Sequence, residues 1–338
     1  MISSAARRWE RDGHMGIWTD LWRTEAKNWA FGHIGSTTPI MPHKQYVSVM
    51  LRQLRIVNAR VGFSRFYGAV EFFGSLPHLS GTSAEFASMI SPSKLQDVSR
   101  KNRGNFAISD QRLLGPVPYV GGDLEIEIGL FTIKSQDLLM PYLELLGELS
   151  KSAGVAYFSV VAPYVSAIKH GAAALIRAEG SSSLEIGASV TFAPAQAGTF
   201  FAARISSAER DLTKFTTDGN NYLLDEQGHH LDAIPYLIFS VTQSGIRDDW
   251  HQIPAISTAY NKLINTVREQ KSLKEVRSHL EHFRRVVLTN PDILSGHGPQ
   301  IVSWAEQRVA TAQGAVKTSR SAKGPTLPAL RTLQLAPL

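Results

Sequence analysis

DLEIEIGLFTI, residues 123–133, alternates Leu124, Ile126, Ile128 and Leu130 with Glu125, Glu127 and Gly129. Side chains of a strand point alternately to its two faces, so this period of two writes one apolar and one wet face. A half-buried antiparallel strand is expected. LGPVPYVGGD (114–123), with two prolines and a glycine pair, is expected as a rigid loop that aims it.

Outward from this strand the texture is similar. On its N-terminal side lie QYVSVMLRQLRIV (45–57), AVEFF (69–73) and FAISD (106–110), short β-rich runs separated by Gly, Pro and Ser. On its C-terminal side, SQDLLMPYLELLGELSKSAG (135–154) reads as a helix with Leu143, Leu146 and Leu149 on one face, and VAYFSVV (155–161) as a buried strand. From Pro163 to Ile176 either a second helix or a less regular crossover follows. Strands then return: SLEIGASVTF (183–192), TFFAARI (199–205), a hairpin turning at Gly228, and YLIFSV (236–241). Strands on both sides of a helical stretch favour an α+β fold over a doubly wound parallel sheet. The expected fold is an antiparallel β-sandwich-like body with inserted helices and a helical C-terminal layer.

Beyond Pro254 the period becomes 3.6. Ile256, Tyr260, Leu263, Ile264 and Val267 form one stripe, and Leu273, Val276, Leu280 and Phe283 another. Ser272 and Glu275 have the spacing of a capping box at the start of the second helix. A third helix is expected from near Pro299 through Trp304 and Val309. The chain thus divides into a Trp-rich helical segment (1–44), a β-rich α+β body (45–245), a helical layer (246–312) and a basic flexible tail (313–338). The tail carries Lys317, Arg320, Lys323 and Arg331 and no acid.

Four of the six tryptophans fall within residues 1–33. Trp18, Trp22 and Trp29 are placed at i, i+4 and i+11, an aromatic stripe on a helix ending near Gly32. Such a stripe packs on its own domain or docks a partner chain or membrane surface, since aromatics are favoured at interfaces.

SGIRDDWHQIP (244–254) joins the last strand to the first C-terminal helix. Asp248 and Asp249 could act as acid and base or hold a divalent ion, with His251 as a proton shuttle. The same residues suit a structural junction: aspartates favour turns and helix N-termini, Arg247 can pair with a carboxylate, and Trp250 can anchor the helical layer on the sheet. The structural reading is preferred, and no catalytic residue is assigned outside this fallback.

At 338 residues, 43% hydrophobic and 19% charged, the chain has the composition of a globular protein. With no cysteine, disulfides, thiolate nucleophiles and Fe–S clusters are excluded. No phosphate-binding glycine loop or nucleophile elbow is present. His279 and His282 are spaced i, i+3 rather than as a metalloprotease pair, and no metal or other cofactor is expected. The net charge of +6 is modest, without the aromatic interleaving of a nucleic-acid binder, so sequence-specific nucleic-acid recognition is not expected. Without a secretory leader or a membrane-spanning run, a soluble cytoplasmic protein is expected. The functional expectation is a non-catalytic interaction or scaffold protein in a multi-protein assembly, docking protein partners or copies of itself through Trp18, Trp22 and Trp29. Peripheral contact of the basic tail with an anionic membrane is a further option. The alternative is a metal-assisted or acid/base hydrolase using Asp248, Asp249 and His251.

Overall fold

The computed structural model describes residues 30–56, 60–61, 64–65, 67–77, 79, 83–90, 111–133, 182–205 and 210–321. The fold is α+β, with antiparallel sheets and helices in the C-terminal part. It divides into two units, one formed by Met1–Pro42 and Val47–Gln243, the other by His43–Tyr46 and Ser244–Leu338.

The first unit holds β1 (Ala30–Pro39), β2 (Tyr46–Arg55), β3 (Arg60–Val61), β4 (Ser64–Arg65), β5 (Tyr67–Pro77), β6 (Ser83–Ile90) and β7 (Gln111–Pro118). After these come β8 (Leu124–Ile133), β9 (Ser182–Phe192), β10 (Gln196–Ala203), β11 (Thr216–Thr217), β12 (Leu223–Leu224) and β13 (Tyr236–Ser244). One large sheet has the order β1-β10-β13-β2-β7 and the other β6-β5-β8-β9. β8 is antiparallel to both β5 and β9, and Leu124, Ile126, Ile128 and Leu130 are all buried. Residues of both sheets form one hydrophobic cluster. Burying each large aliphatic side chain there contributes about 1.5–3 kcal/mol.

The chain changes sheets from β7 to β8 and again from β9 to β10. Tyr119 joins the two crossings: its hydroxyl donates to the Gly122 carbonyl (2.7 Å) and accepts from the Ala195 N–H (3.3 Å). The loop expected over 114–123 is shorter than its composition implied, because Leu114 to Pro118 belong to β7. This strand lies at the sheet edge, where prolines lacking an N–H are tolerated. Gly115, at φ +86°, has no room for a side chain, since a Cβ would collide with the Val47 carbonyl.

β10 and β13 are buried along runs of consecutive residues, Phe200–Ala203 and Tyr236–Val241, so their sheet is covered on both faces there. On one face Phe31, Phe200 and Phe239 stack with Phe192 beside them; on the other Phe201 stacks on Phe215 with centroids 5.2 Å apart. β1 corrects one expectation. The helix carrying Trp18, Trp22 and Trp29 cannot run to Gly32, because the chain from Ala30 pairs with β10 and the Phe201 ring occupies the space a Cβ at Gly32 would need. The three tryptophans themselves lie outside the described residues, as do the helices expected over 135–154 and 163–176 and the strand expected over 155–161.

The second unit contains α1 (Pro254–Arg268), α2 (Leu273–Leu288) and α3 (Gly298–Ser321). Ile256, Tyr260, Leu263 and Val267 of α1 are buried as their spacing required. The capping box forms in full: the Ser272 hydroxyl accepts from the Glu275 N–H, and the Glu275 carboxylate accepts from the Ser272 N–H. On α2 the buried residues are Val276, Phe283 and Val287, whereas Leu273, expected in the stripe, is 59% exposed. A residue in the first turn lies beyond the reach of the partner helix even when its spacing is right. Lys317 and Arg320 are on α3, which continues to Ser321; Lys323 and Arg331 lie outside the described residues.

Candidate functional site

The junction 244–254 opens on a small turn in which the Ser244 hydroxyl donates to the Ile246 carbonyl and accepts from the Ile246 N–H. A 3-10 turn over Trp250–Gln252 follows, and Pro254 begins α1, where its missing N–H costs nothing. Within this connection the titratable side chains diverge. Asp249 is buried and accepts from Arg247 Nε at 2.6 Å, while Asp248 and His251 are exposed. Asp249 precedes the 3-10 turn without capping it through its side chain, since its carboxylate is committed to the guanidinium. The structure therefore does not bring Asp248, Asp249 and His251 together around one reacting atom.

What the structure brings together is a buried polar network, legible only in part from the sequence. Arg247 is 1% exposed, and besides Asp249 it donates through Nη1 to the Asp292 carbonyl at 3.1 Å. That carbonyl is presented by a turn built on Asn290, whose side-chain oxygen accepts from the Asp292 N–H. Next to it, the Tyr46 hydroxyl accepts from the Leu294 N–H at 2.9 Å and lies 2.9 Å from His297 Nδ1. A hydroxyl has one proton. The Leu294 N–H occupies one lone pair of the oxygen, and the buried hydroxyl proton finds its acceptor in Nδ1 when His297 is the neutral Nε2–H tautomer.

The electrostatics agree with this assignment. Burial pushes the Tyr46 hydroxyl up to about 12, against smaller opposing effects of the Leu294 N–H and Arg247. Burial also lowers the His297 pKa, and the Arg247 charge lowers it further. His279, by contrast, meets Thr266 Oγ1 through Nδ1 at 2.7 Å, and that hydroxyl already donates to the Lys262 carbonyl. His279 is accordingly the donor and links α2 to α1. The two histidines present opposite faces of imidazole chemistry, one accepting and one donating.

Trp250 meets the rings of Tyr260, Phe283 and Trp304, one from each helix and the last with its centroid 5.3 Å away, and that of its neighbour His251. It thereby ties the three helices together. The Arg308 guanidinium covers the Trp304 ring at 5.2 Å, so this aromatic group already has its cation. The Tyr260 hydroxyl is buried without a hydrogen-bond partner among the described residues, and burial raises its pKa.

A second polar feature lies in the sheet unit, where two successive hairpin loops repeat one geometry. Asp218 Oδ1 accepts from the N–H groups of Asn220 and Tyr222; Asp225 Oδ1 accepts from those of Gln227 and His229. Each loop has its fourth residue at positive φ, Asn221 at 63° and Gly228 at 82°. This is the three-residue hairpin loop with a left-handed residue closing it, and the turn expected at Gly228 is the second copy. The His229 N–H foremost, aided by the Gln227 N–H and Arg210, lowers the Asp225 pKa against its desolvation. These carboxylates are consumed by turn formation, and His229 and His230 are exposed. Among the described residues no three His, Asp or Glu side chains gather in a way that could hold a metal ion, and no helix is long and apolar enough to cross a membrane.

Comparison with protein-family models, curated proteins and solved structures gives no match.

Of the network, Arg247 and Asp249 stood out in the sequence as charges at a junction. Tyr46, Asp292 and His297 did not. Tyr46 sits within a strand-like run 251 positions from His297, and nothing local pairs them.

Proposed function

We propose that this protein is a non-catalytic interaction protein that docks onto partner chains. The observation that carries the reading is the segregation of charge. Residues 43–46 and 244–338 hold 14 Lys and Arg against 7 Asp and Glu, whereas the remainder of the chain holds 21 against 22. The helical unit is thus at +7 and the sheet unit at −1. Such a field steers association with an oppositely charged partner and disfavours self-pairing of the same surface. The buried charges do not produce it, because Arg247 faces Asp249 and the Asp292 backbone. Four of the seven net charges come from residues 313–338, with Lys317, Arg320, Lys323 and Arg331 and no acid, and the rest from the segments before them.

The reading is tested with the full chain by copurification and light scattering. A stoichiometric complex with a partner chain is expected, weakening steeply with ionic strength. A single-mass monomer that copurifies with nothing at low salt overturns it. The docking role proposed for Trp18, Trp22 and Trp29 is tested by removing residues 1–29, a cut that leaves β1 whole. Loss of the complex with unchanged circular dichroism supports that role, and an unchanged complex refutes it.

A further inference from the structure

We infer that the outward stripe of α2 is a docking surface for an acidic segment of a partner protein that carries apolar residues at its ends. This rests on the interaction reading and adds to it a place and a partner chemistry. α2 turns Val276, Phe283 and Val287 inward. At about 100° per residue, Leu273, Arg284, Arg277, Leu288, Lys274 and Arg285 follow one another around an arc of about 120°, from Leu273 at the border of the buried face to Arg285 opposite it. All six are exposed, the two leucines by 59% and 48%. The stripe is about 22 Å long at 1.5 Å per residue, with a leucine at each end and the cations between them.

A solvated helix face explains the cations, and Leu273, at the border of the buried face, and Leu288 add exposed apolar surface at its two ends. Glu281, the one acid on this arc, is placed to meet Arg277 and Arg285 at i, i+4 spacing and cannot neutralise four cations. Three of the four cations are arginine, the cation enriched at protein interfaces, where lysine is depleted. A nucleic-acid backbone would engage the arginines but gains nothing from two leucines at opposite ends of the stripe. A bilayer is a poor fit as well. An interfacial helix buries a continuous apolar face opposite its charges, and on α2 that face is already used in packing against the other helices. An acidic peptide chain with apolar termini matches both the charge and the spacing.

The test uses the full chain and four labelled probes at low and physiological salt, read by fluorescence anisotropy: a Glu-rich 20-residue peptide with leucines near both ends, the same peptide with serines in their place, a 20-base-pair DNA duplex, and vesicles of phosphatidylserine and phosphatidylcholine. The leucine-bearing peptide is expected to bind most tightly. The Arg277→Glu/Arg284→Glu variant is expected to weaken it at least tenfold, and Leu273→Ser/Leu288→Ser severalfold, with circular dichroism unchanged because all four positions are exposed. Arg284→Ala provides a milder variant should charge reversal perturb the fold. Preference for the duplex or the vesicles, equal affinity for the two peptides, or no peptide binding at low salt overturns the inference. A cellular complex that survives the arginine reversal removes α2 from the interface while leaving the interaction reading in place.

Discussion

The sheet unit and the helical unit solve the problem of buried polarity in different ways. In the sheet unit some polar side chains are paired by neighbouring strands, as where Arg52 donates to Ser240, which shares a hydrogen bond with Thr199, joining β2, β13 and β10, and the buried Arg55 pairs with the exposed Asp232 on the loop before β13. Around them the core is a near-continuous run of aromatic and aliphatic residues. In the helical unit, α2 supplies only Val276, Phe283 and Val287 to the interior, and an arginine is among the largest fully buried side chains. Its ion pair joins Arg247 to Asp249 two positions on, and beside it Tyr46, the Asp292 carbonyl and His297 are brought in by folding. The lesson is one of vulnerability. An apolar core loses stability in proportion to the volume removed, whereas a buried ion pair loses most when a single partner is taken away.

Arg247→Ala breaks this comparison most directly, since it leaves Asp249 buried without its counter-charge. It is expected to cost about 3–5 kcal/mol in denaturant unfolding followed by tryptophan fluorescence. The double variant Arg247→Met/Asp249→Leu should recover most of that loss, and a double variant as unstable as the single one would show that packing rather than charge governs the site.

Two buried tyrosines then sharpen the comparison within one unit. The Tyr46 hydroxyl makes two hydrogen bonds and the Tyr260 hydroxyl makes none among the described residues. Tyr46→Phe orphans the Leu294 N–H and His297 Nδ1 and is expected to cost about 1–3 kcal/mol. Tyr260→Phe removes an unpartnered hydroxyl and should leave stability unchanged or raise it, by less than about 1 kcal/mol. Equal losses from the two would contradict the hydrogen-bond assignment.

The smallest effect is a pH dependence. The folded pKa of His297 lies below its ordinary 6.5, so the unfolded chain binds the proton first as pH falls. The stabilising contribution is complete above about 6.5, and is lost below it as pH falls through the depressed folded value. The lowered carboxylates of Asp211, Asp225 and Glu275 act in a more acidic window, below their ordinary values of 3.8 to 4.5. Denaturant midpoints measured from pH 7.5 to 5 should therefore fall in the parent protein and stay flatter in His297→Gln.

Legibility followed the range of the interactions. β8 was readable because its period of two is local, and its four apolar residues are buried as that period required. The Ser272 capping box was readable because its partners are three residues apart. Pro116 and Pro118 misled, because their tolerance in a strand depends on β7 being an edge, which is a property of the sheet. Leu273 misled for a related reason: helical spacing states which face a residue shares, but only the partner helix decides how far along that face burial extends. At the junction, Arg247, Asp248, Asp249 and His251 within five positions allowed a convergent site, but turn and pairing chemistry favoured a structural connection, and Arg247 does pair with Asp249.

By itself, then, the sequence determined the α+β class, the antiparallel strand texture, the change of period at Pro254 and the hairpin turn at Gly228, all consequences of steric preferences acting over a few residues. The tertiary structure alone decided that Asp249 turns inward to Arg247 while Asp248 and His251 face solvent. It alone brought Tyr46 to His297 and left Lys274, Arg277, Arg284 and Arg285 of α2 exposed. These depend on contacts between distant segments, whose energies are set by burial and geometry that no local pattern encodes.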